Sequence, residues 1–456
     1  MNKKDNATYR RLHYLTQPWA IFTVIYLTVV FPFCYFRHDD WLILGNSVIE
    51  LPRHWAFLWK PTLYYGPVET IWFFRPFFKL IVYLFYQIFG LHYYLWLVAL
   101  FAFTLGTLYF WARALSEITG RPEPARWFAA IFITCVPMHF GSCVWVGEGS
   151  MNLPQAFLLA ANTYAFVLYL KTEKLSVGIL ALGCFVFSLG FKESSVLHPL
   201  FLFLITLPYA RKTLVKLFPY VVIAGVFLLV RLFLIPINPS YLPHYRIGTV
   251  VKPLLIILAT FSLPLFALAI TQPKTIGPLI KNFRIRGWLP LFFLPCLLPY
   301  LGHGFFSPGW LYLPGLYFAI CFAVCIPLKA HPELEKFTAA AVIISLIPVL
   351  LFLHDLGWWQ WHRGQREMEA LIKAAPEGKY AEVVIEDCPN EKFPKANLDR
   401  VVGFEAGLHY LWLIHHPHPI PIKIVACGSR QISQTSRQEL LRLKWEFPDV
   451  IQLPAQ

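Results

Sequence analysis

Of the 456 residues, 57% are hydrophobic, 17% aromatic and only 14% charged, where a typical soluble chain carries roughly 25% charged residues. That balance excludes a soluble protein, and repeated apolar runs of about 17–25 residues favour one polytopic helical membrane bundle over the two or three domains that length alone would give. The formal charge of +14 does not point to nucleic acid, because the basic residues stand in short clusters between the apolar runs, where they carry topology.

The first run, 18–36, follows Lys3, Lys4, Arg10 and Arg11. It is too long for a signal-peptide core and no small-residue cleavage site follows it, so it reads as an uncleaved first transmembrane helix. The outer segment 37–92 combines Trp41, Trp55, Trp59, Trp72, Tyr64 and Tyr65 with Pro52, Pro61, Pro67 and Pro76. Aromatic residues with scattered charge suit the membrane interface. Two short helices along the outer leaflet are predicted, the second from about Arg75 to Phe89, before a turn at Gly90.

Further spans are predicted near 93–114, 127–141, 154–170, 175–191, 196–210, 214–236, 250–271, 287–302, 310–328 and 336–355, about eleven in all. Alternate connections carry Arg113, Arg121 and Arg126; Lys171 and Lys174; Arg211, Lys212 and Lys216; Lys274, Lys281, Arg284 and Arg286; Lys329 and Lys336. The loops 142–153 and 303–309 hold neither Lys nor Arg. The positive-inside rule then sets the N-terminus in the cytoplasm and, with an odd number of spans, the tail outside.

That tail is different in kind. "AEVVIEDCPN" and "IPIKIVACGS" read as β-strands and "SRQELLRLKWEF" as a short amphipathic helix. Residues 357–456 are therefore expected to form a small extracytoplasmic α/β domain after a membrane part of 1–356 that includes the outer segment. Cys34, Cys135, Cys184, Cys296, Cys321 and Cys325 fall in apolar runs and behave as small hydrophobes. Only Cys388 and Cys427 share a polar region, where a disulfide suits an extracytoplasmic domain. Neither GxGxxG after a strand nor GxxxxGK[ST] occurs, so no nucleotide-activated substrate is expected through those loops.

Charged side chains at the ends of apolar helices cost several kcal/mol unless paired or wet, which makes each one a functional suspect. Here they are Asp39 and Asp40, Arg75, Lys192 and Glu193 in "LGFKESSVLHP", and Arg231 in "FLLVRLFLIP", with His139 and His303 as polar companions. Adjacent residues cannot aim equally at one atom, so the two aspartates would take different roles: one accepts a proton while the other holds backbone or a nearby cation. The alternative is a hydrated turn at a membrane exit. Lys192 with Glu193 reads either as an interfacial ion pair or as a phosphate site, and Arg231 either snorkels or makes bidentate contact with a phosphate. His139 reads as a helix-end histidine or a ligand. No spaced His and carboxylate set signals a metal, and His415, His416 and His418 are a weak cluster.

Together these residues suit attack by a hydroxyl on a lipid-linked sugar phosphate, with a carboxylate base on one side and cations for the leaving phosphate on the other. The order of "DDWLILGN" (39–46), "FRPF" (74–77), "FGLHYYLW" (89–96), "VPMHFGSCVWV" (136–146), "GFKESSVLHP" (190–199), "LLVRLFL" (228–234) and "GWLYLPGLYF" (309–318) resembles the GT-C superfamily of polyprenyl-phosphate-dependent glycosyltransferases. It is most similar to the membrane part of the transmembrane and tetratricopeptide-repeat O-mannosyltransferases and their bacterial relatives. The resemblance implies a catalytic Asp39 with Asp40 as companion, and Lys192, Glu193 and Arg231 around the donor phosphate. Arg75 and Tyr312 lie in matching pieces. The chain departs from the pattern at Gly141, at Gly309 and Trp310, and in lacking the repeats.

The expected protein is an inverting glycosyltransferase of the inner membrane. It would move a sugar from a polyprenyl-phosphate donor to a hydroxyl of a protein, glycan or lipid at the outer, periplasmic face. Asp39 and Asp40 would be catalytic, Lys192, Arg231 and Arg75 would bind phosphate, and Glu193, His139, His303 and Tyr312 would support them. No cofactor is assigned, and a divalent metal stays open. The rivals are a transporter or flippase of a lipid-linked substrate, for which no paired repeat is found, and a non-catalytic polyprenyl-lipid-binding protein.

Overall fold

A computed structural model describes residues 22–36, 39–60, 74–206, 210–233, 247–274, 311–326, 336–344, 358–388, 404–416, 418–426, 440–446 and 449–453, with a few isolated positions between. These residues are mostly helical. In chain order, α1 (Phe22–Phe33) loosens into a π turn over Tyr26–Val30 and closes with a 3-10 turn at Phe31–Phe33. Then come α2 (Asp39–Gly45), running on through a π turn at Asn46–Glu50, α3 (Pro76–Phe89), α4 (Tyr93–Thr119), α5 (Glu123–Thr134) and α6 (Val136–Val144). They are followed by α7 (Val146–Thr172), α8 (Leu175–Leu189), α9 (His198–Ile205), α10 (Ala210–Phe233), α11 (Ile247–Thr271) and α12 (Tyr312–Cys325). The tail supplies α13 (Trp358–Ala374), β1 (Glu382–Cys388), α14 (Phe404–His415), β2 (Ile422–Ala426), β3 (Leu440–Glu446) and β4 (Asp449–Gln452).

Two compact units result. The first takes Met1–Val30, Val98–Val144 and Glu148–Leu350; the second takes Phe31–Leu97, Trp145–Gly147 and Leu351–Gln456. In the first unit α12 packs on α5 and α6, and α9 and α8 pack on α10. One face of α10 buries Leu217, Tyr220 and Ala224, while Val215, Phe218, Val226, Leu229, Leu232 and Phe233 are each more than half exposed. Those six side chains, at roughly 1.5–3 kcal/mol each for full burial and scaled by their exposure, would forfeit about 6–12 kcal/mol in water. That rivals the whole net stability of a domain, about 5–15 kcal/mol, so hydrocarbon is the solvent this face suits.

Among the described residues three helices are long and apolar enough to cross a membrane: α4, α7 and the Leu214–Phe233 part of α10. This corrects the expectation of about eleven spans. The run 127–141 is cut at Cys135, between α5 and α6, and α8 and α12 have only 15 and 14 residues, short of the roughly 20 that a span needs. The run 287–302 and half of 336–355 lie outside the described residues.

The second unit joins the segment 31–97 to the tail, α2 lying against α14. The two helices predicted for the outer segment are α2 and α3, and α3 ends at Gly90 with φ 55, a left-handed backbone that favours glycine. The tail sheet has the order β2-β1-β3-β4, with β1 parallel to both neighbours and β3 antiparallel to β4. As an inner strand, β1 is buried nearly throughout, which accounts for its unbroken run Val383, Val384, Ile385. Its two glutamates are paired, Glu386 with Arg442 at 2.6 Å and Glu382 with Lys423 at 2.8 Å.

The predicted helix at "SRQELLRLKWEF" is instead strand β3. Leu441 and Leu443 are buried while Arg442 and Lys444 are half-buried, the period of two that belongs to a pleated strand. Cys388 is disulfide-bonded. Its expected partner, Cys427, lies outside the described residues, one position beyond Ala426, which pairs with Asp387 across the β1–β2 ladder.

Candidate functional site

The expected site residues divide between the two units, and each group is described by itself. In the second unit the dipeptide Asp39-Asp40 opens α2. Asp40 is fully buried, and its Oδ1 accepts the backbone N–H of Gly147 at 2.7 Å. A carboxylate that accepts a backbone N–H makes a charge-assisted bond, about twice as strong as a neutral one. A Cβ on Gly147 would come within 2.8 Å of Ile43 Cδ1 and 3.0 Å of Asp40 Oδ1, so glycine admits the close approach. Asp40 therefore holds the backbone of Gly147. Asp39 sits at the start of the same helix, and its side chain is outside the described residues.

Arg75 is 7% exposed and caps the N-terminus of α3, its carbonyl accepting the N–H of Lys79 at 3.3 Å. One turn on, Lys79 is 1% exposed. Its ammonium donates to the carbonyls of Phe57 and Lys60, at 2.8 Å each, and lies 4.1 Å from the centre of the Phe57 ring. Burial, and then the nearby charge of Lys60, pushes the Lys79 pKa down to about 7.

In the first unit the Lys192 ammonium donates to Asn152 Oδ1 at 2.8 Å, and Asn152 Nδ2 donates to Ser142 Oγ at 3.0 Å. The Lys192 carbonyl accepts from Gln155 Nε2 at 3.1 Å, and the same amide reaches Ser194 Oγ at 3.0 Å and Ser195 Oγ at 2.7 Å. Asn152 and Gln155 stand three apart on one face of α7, so one helix fixes both ends of the lysine. Glu193 follows in a 3-10 turn and is half-buried. Arg231, half-buried in the last turn of α10, donates from Nη1 to the Ile235 carbonyl at 3.3 Å.

Removal of the amide in Asn152→Ala is expected to destabilise the protein by about 1–3 kcal/mol, because Ser142 and Lys192 both lose a buried partner. Thermal unfolding in detergent measures it, and an unchanged midpoint would show that the amide does not hold the lysine.

The supporting residues separate. His139 is fully buried; its Nδ1 accepts from the Tyr26 hydroxyl at 2.7 Å, and its Nε2 donates to the Ile133 carbonyl at 3.2 Å. Both nitrogens are thus engaged, with the Phe22 and Phe132 rings around it. Tyr312 is buried, its hydroxyl donating to Thr104 Oγ1 at 3.3 Å. His303 lies outside the described residues.

Sequence reasoning missed His198, which is fully buried. Its Nδ1 accepts from the Tyr317 hydroxyl at 2.8 Å, and its Nε2 meets Asn162 Oδ1 at 2.9 Å and Thr163 Oγ1 at 3.2 Å. Asn152, Gln155 and Lys79 were missed as well. The available signal was amide and ammonium groups inside apolar runs, which are as costly there as the charges that were singled out. Among the described residues no group of three or more His, Cys, Asp or Glu could hold a metal ion. No family model, curated protein or solved structure matches the chain.

Proposed function

We propose that the protein is an inverting glycosyltransferase that uses a polyprenyl-phosphate-linked sugar at the outer face of the inner membrane. The observation that carries this reading is the bond from the Gly147 N–H to Asp40, 107 residues away; base chemistry is assigned to Asp39 as part of the proposal. The reading is further supported by Lys192, braced at both ends by α7, and by Arg231 and Arg75 as cations for a phosphate. The GT-C-like arrangement, with further spans beyond the three long helices and a periplasmic tail, belongs to the same proposal.

In the proposed reaction the acceptor hydroxyl attacks the anomeric carbon as the bond from that carbon to the phosphate oxygen breaks. The hydroxyl proton passes to the Asp39 carboxylate, and the polyprenyl phosphate leaves with the electron pair of the broken bond, its charge balanced by cationic side chains. Positive character at the sugar carbon and negative charge on the phosphate grow together, so groups of opposite sign favour the transition state over the ground state. The purified protein, given a polyprenyl-phosphate monosaccharide and a hydroxyl acceptor, is expected to release free polyprenyl phosphate over many turnovers. Stoichiometric lipid binding without release would instead favour the non-catalytic rival.

A further inference from the structure

Inside the second unit the tail holds the acidic helix α2 at its C-terminal end and the segment Cys34–Tyr35 ahead of it. At its C-terminal end, a Cβ on Gly45 would lie 2.1–2.4 Å from the Tyr410 side chain, so the ring of α14 is seated directly on the glycine backbone. The Tyr410 hydroxyl points to Asn46 Oδ1 at 3.5 Å, and Asn46 Nδ2 donates back to the Leu42 carbonyl at 2.7 Å. Ahead of the helix, the Tyr35 hydroxyl donates to Glu369 Oε2, and the other Glu369 oxygen pairs with His415 Nε2 at 3.3 Å. Arg366 donates to the Cys34 carbonyl at 3.1 Å, with its guanidinium 5.0 Å from the Tyr35 ring centre. Glu369 and Tyr410 are 9% and 5% exposed. These contacts join positions more than 330 apart in sequence, and they flank Asp39 and Asp40 on either side.

We infer that the C-terminal α/β module is the positioning element of the acidic helix: Tyr410 sets its roll and depth, and the Tyr35, Glu369 and His415 chain sets where it begins. The consequence for activity rests on the transferase reading; the consequence for the helix does not. A misplacement of about 1 Å in a catalytic group can cost on the order of 100-fold in rate, so small changes in the grip act on turnover rather than on donor binding.

The test uses the full-length protein in detergent, with two readouts. Gly45→Ala pushes the helix off the Tyr410 ring and is expected to lower kcat about tenfold or more, with donor KM within about twofold of the parent. It is also expected to raise amide exchange over 39–45 at least about tenfold. Tyr410→Ala, which removes the ring seated on Gly45, is expected to reproduce both effects. Glu369→Ala repeats the loss, whereas Glu369→Gln keeps an acceptor for the Tyr35 hydroxyl and retains most of the turnover.

Parent-like exchange and kcat in Gly45→Ala and Glu369→Ala would overturn the inference. If the parent turns over no donor, the transferase reading fails and the exchange arm alone decides. If Gly45→Ala does not fold, the pair Glu369→Ala and Glu369→Gln decides, and equal losses in both would count against the grip.

Discussion

Asp39→Asn is expected to lower sugar transfer by about 10²–10⁴-fold, the contribution of a positioned general base, while leaving the amount of folded protein in the membrane unchanged. Asparagine matches the carboxylate in size and cannot take the acceptor proton. Asp40→Asn should behave otherwise. Its amide oxygen still accepts the Gly147 N–H, now bonded at 2.7 Å, so what is lost is the charge assistance, worth about 1–2 kcal/mol. That corresponds to roughly 5- to 30-fold in rate if all of it reaches the transition state. Asp40→Leu, which offers Gly147 no acceptor, should cost stability as well. Steady-state kinetics of the two Asn variants separate the roles: parent-like transfer in Asp39→Asn removes the mechanism, and abolition only in Asp40→Asn exchanges the assignments.

This asymmetry was half legible. That neighbouring aspartates must differ follows from helix geometry alone, but which one is buried depends on Gly147, and nothing local to "HDDW" names a partner 107 residues away. The apolar runs gave α4, α7 and α10 readily, because a long uniform stretch has few alternatives. They misled at 127–141, where the break at Cys135 separates two helices that composition alone runs together. At β3 the deciding feature was the period of Leu441 and Leu443, which competes with the helix-forming residues of the same stretch. There tertiary pairing with β1 prevails over local propensity. The tail's grip on α2 was not legible, because Gly45 and Tyr410 carry no shared pattern; only the packing of α2 on α14 relates them.

Lys79 was also passed over, for a related reason: its partners are backbone carbonyls, which every residue has. The prediction it supports is a stability that rises with pH. In the unfolded chain a lysine keeps its proton up to about pH 10.5, whereas the folded Lys79 releases it near 7. Below about 7 both states are charged and the cost of burying the ammonium is borne in full. Between about 7 and 10.5 the unfolded chain binds more protons, so raising the pH favours the fold until both forms are neutral. A gap of this size sets a ceiling on the order of 5 kcal/mol. The carbonyls of Phe57 and Lys60 at 2.8 Å solvate the ammonium in place of water, so a gain of roughly 2–4 kcal/mol is expected. The quantity to measure is the difference in unfolding free energy between the parent and Lys79→Met from pH 7 to 10, which cancels every group common to both. A difference that stays flat across that range would mean that Lys79 remains charged throughout, and that the cage of two carbonyls and a ring outweighs burial.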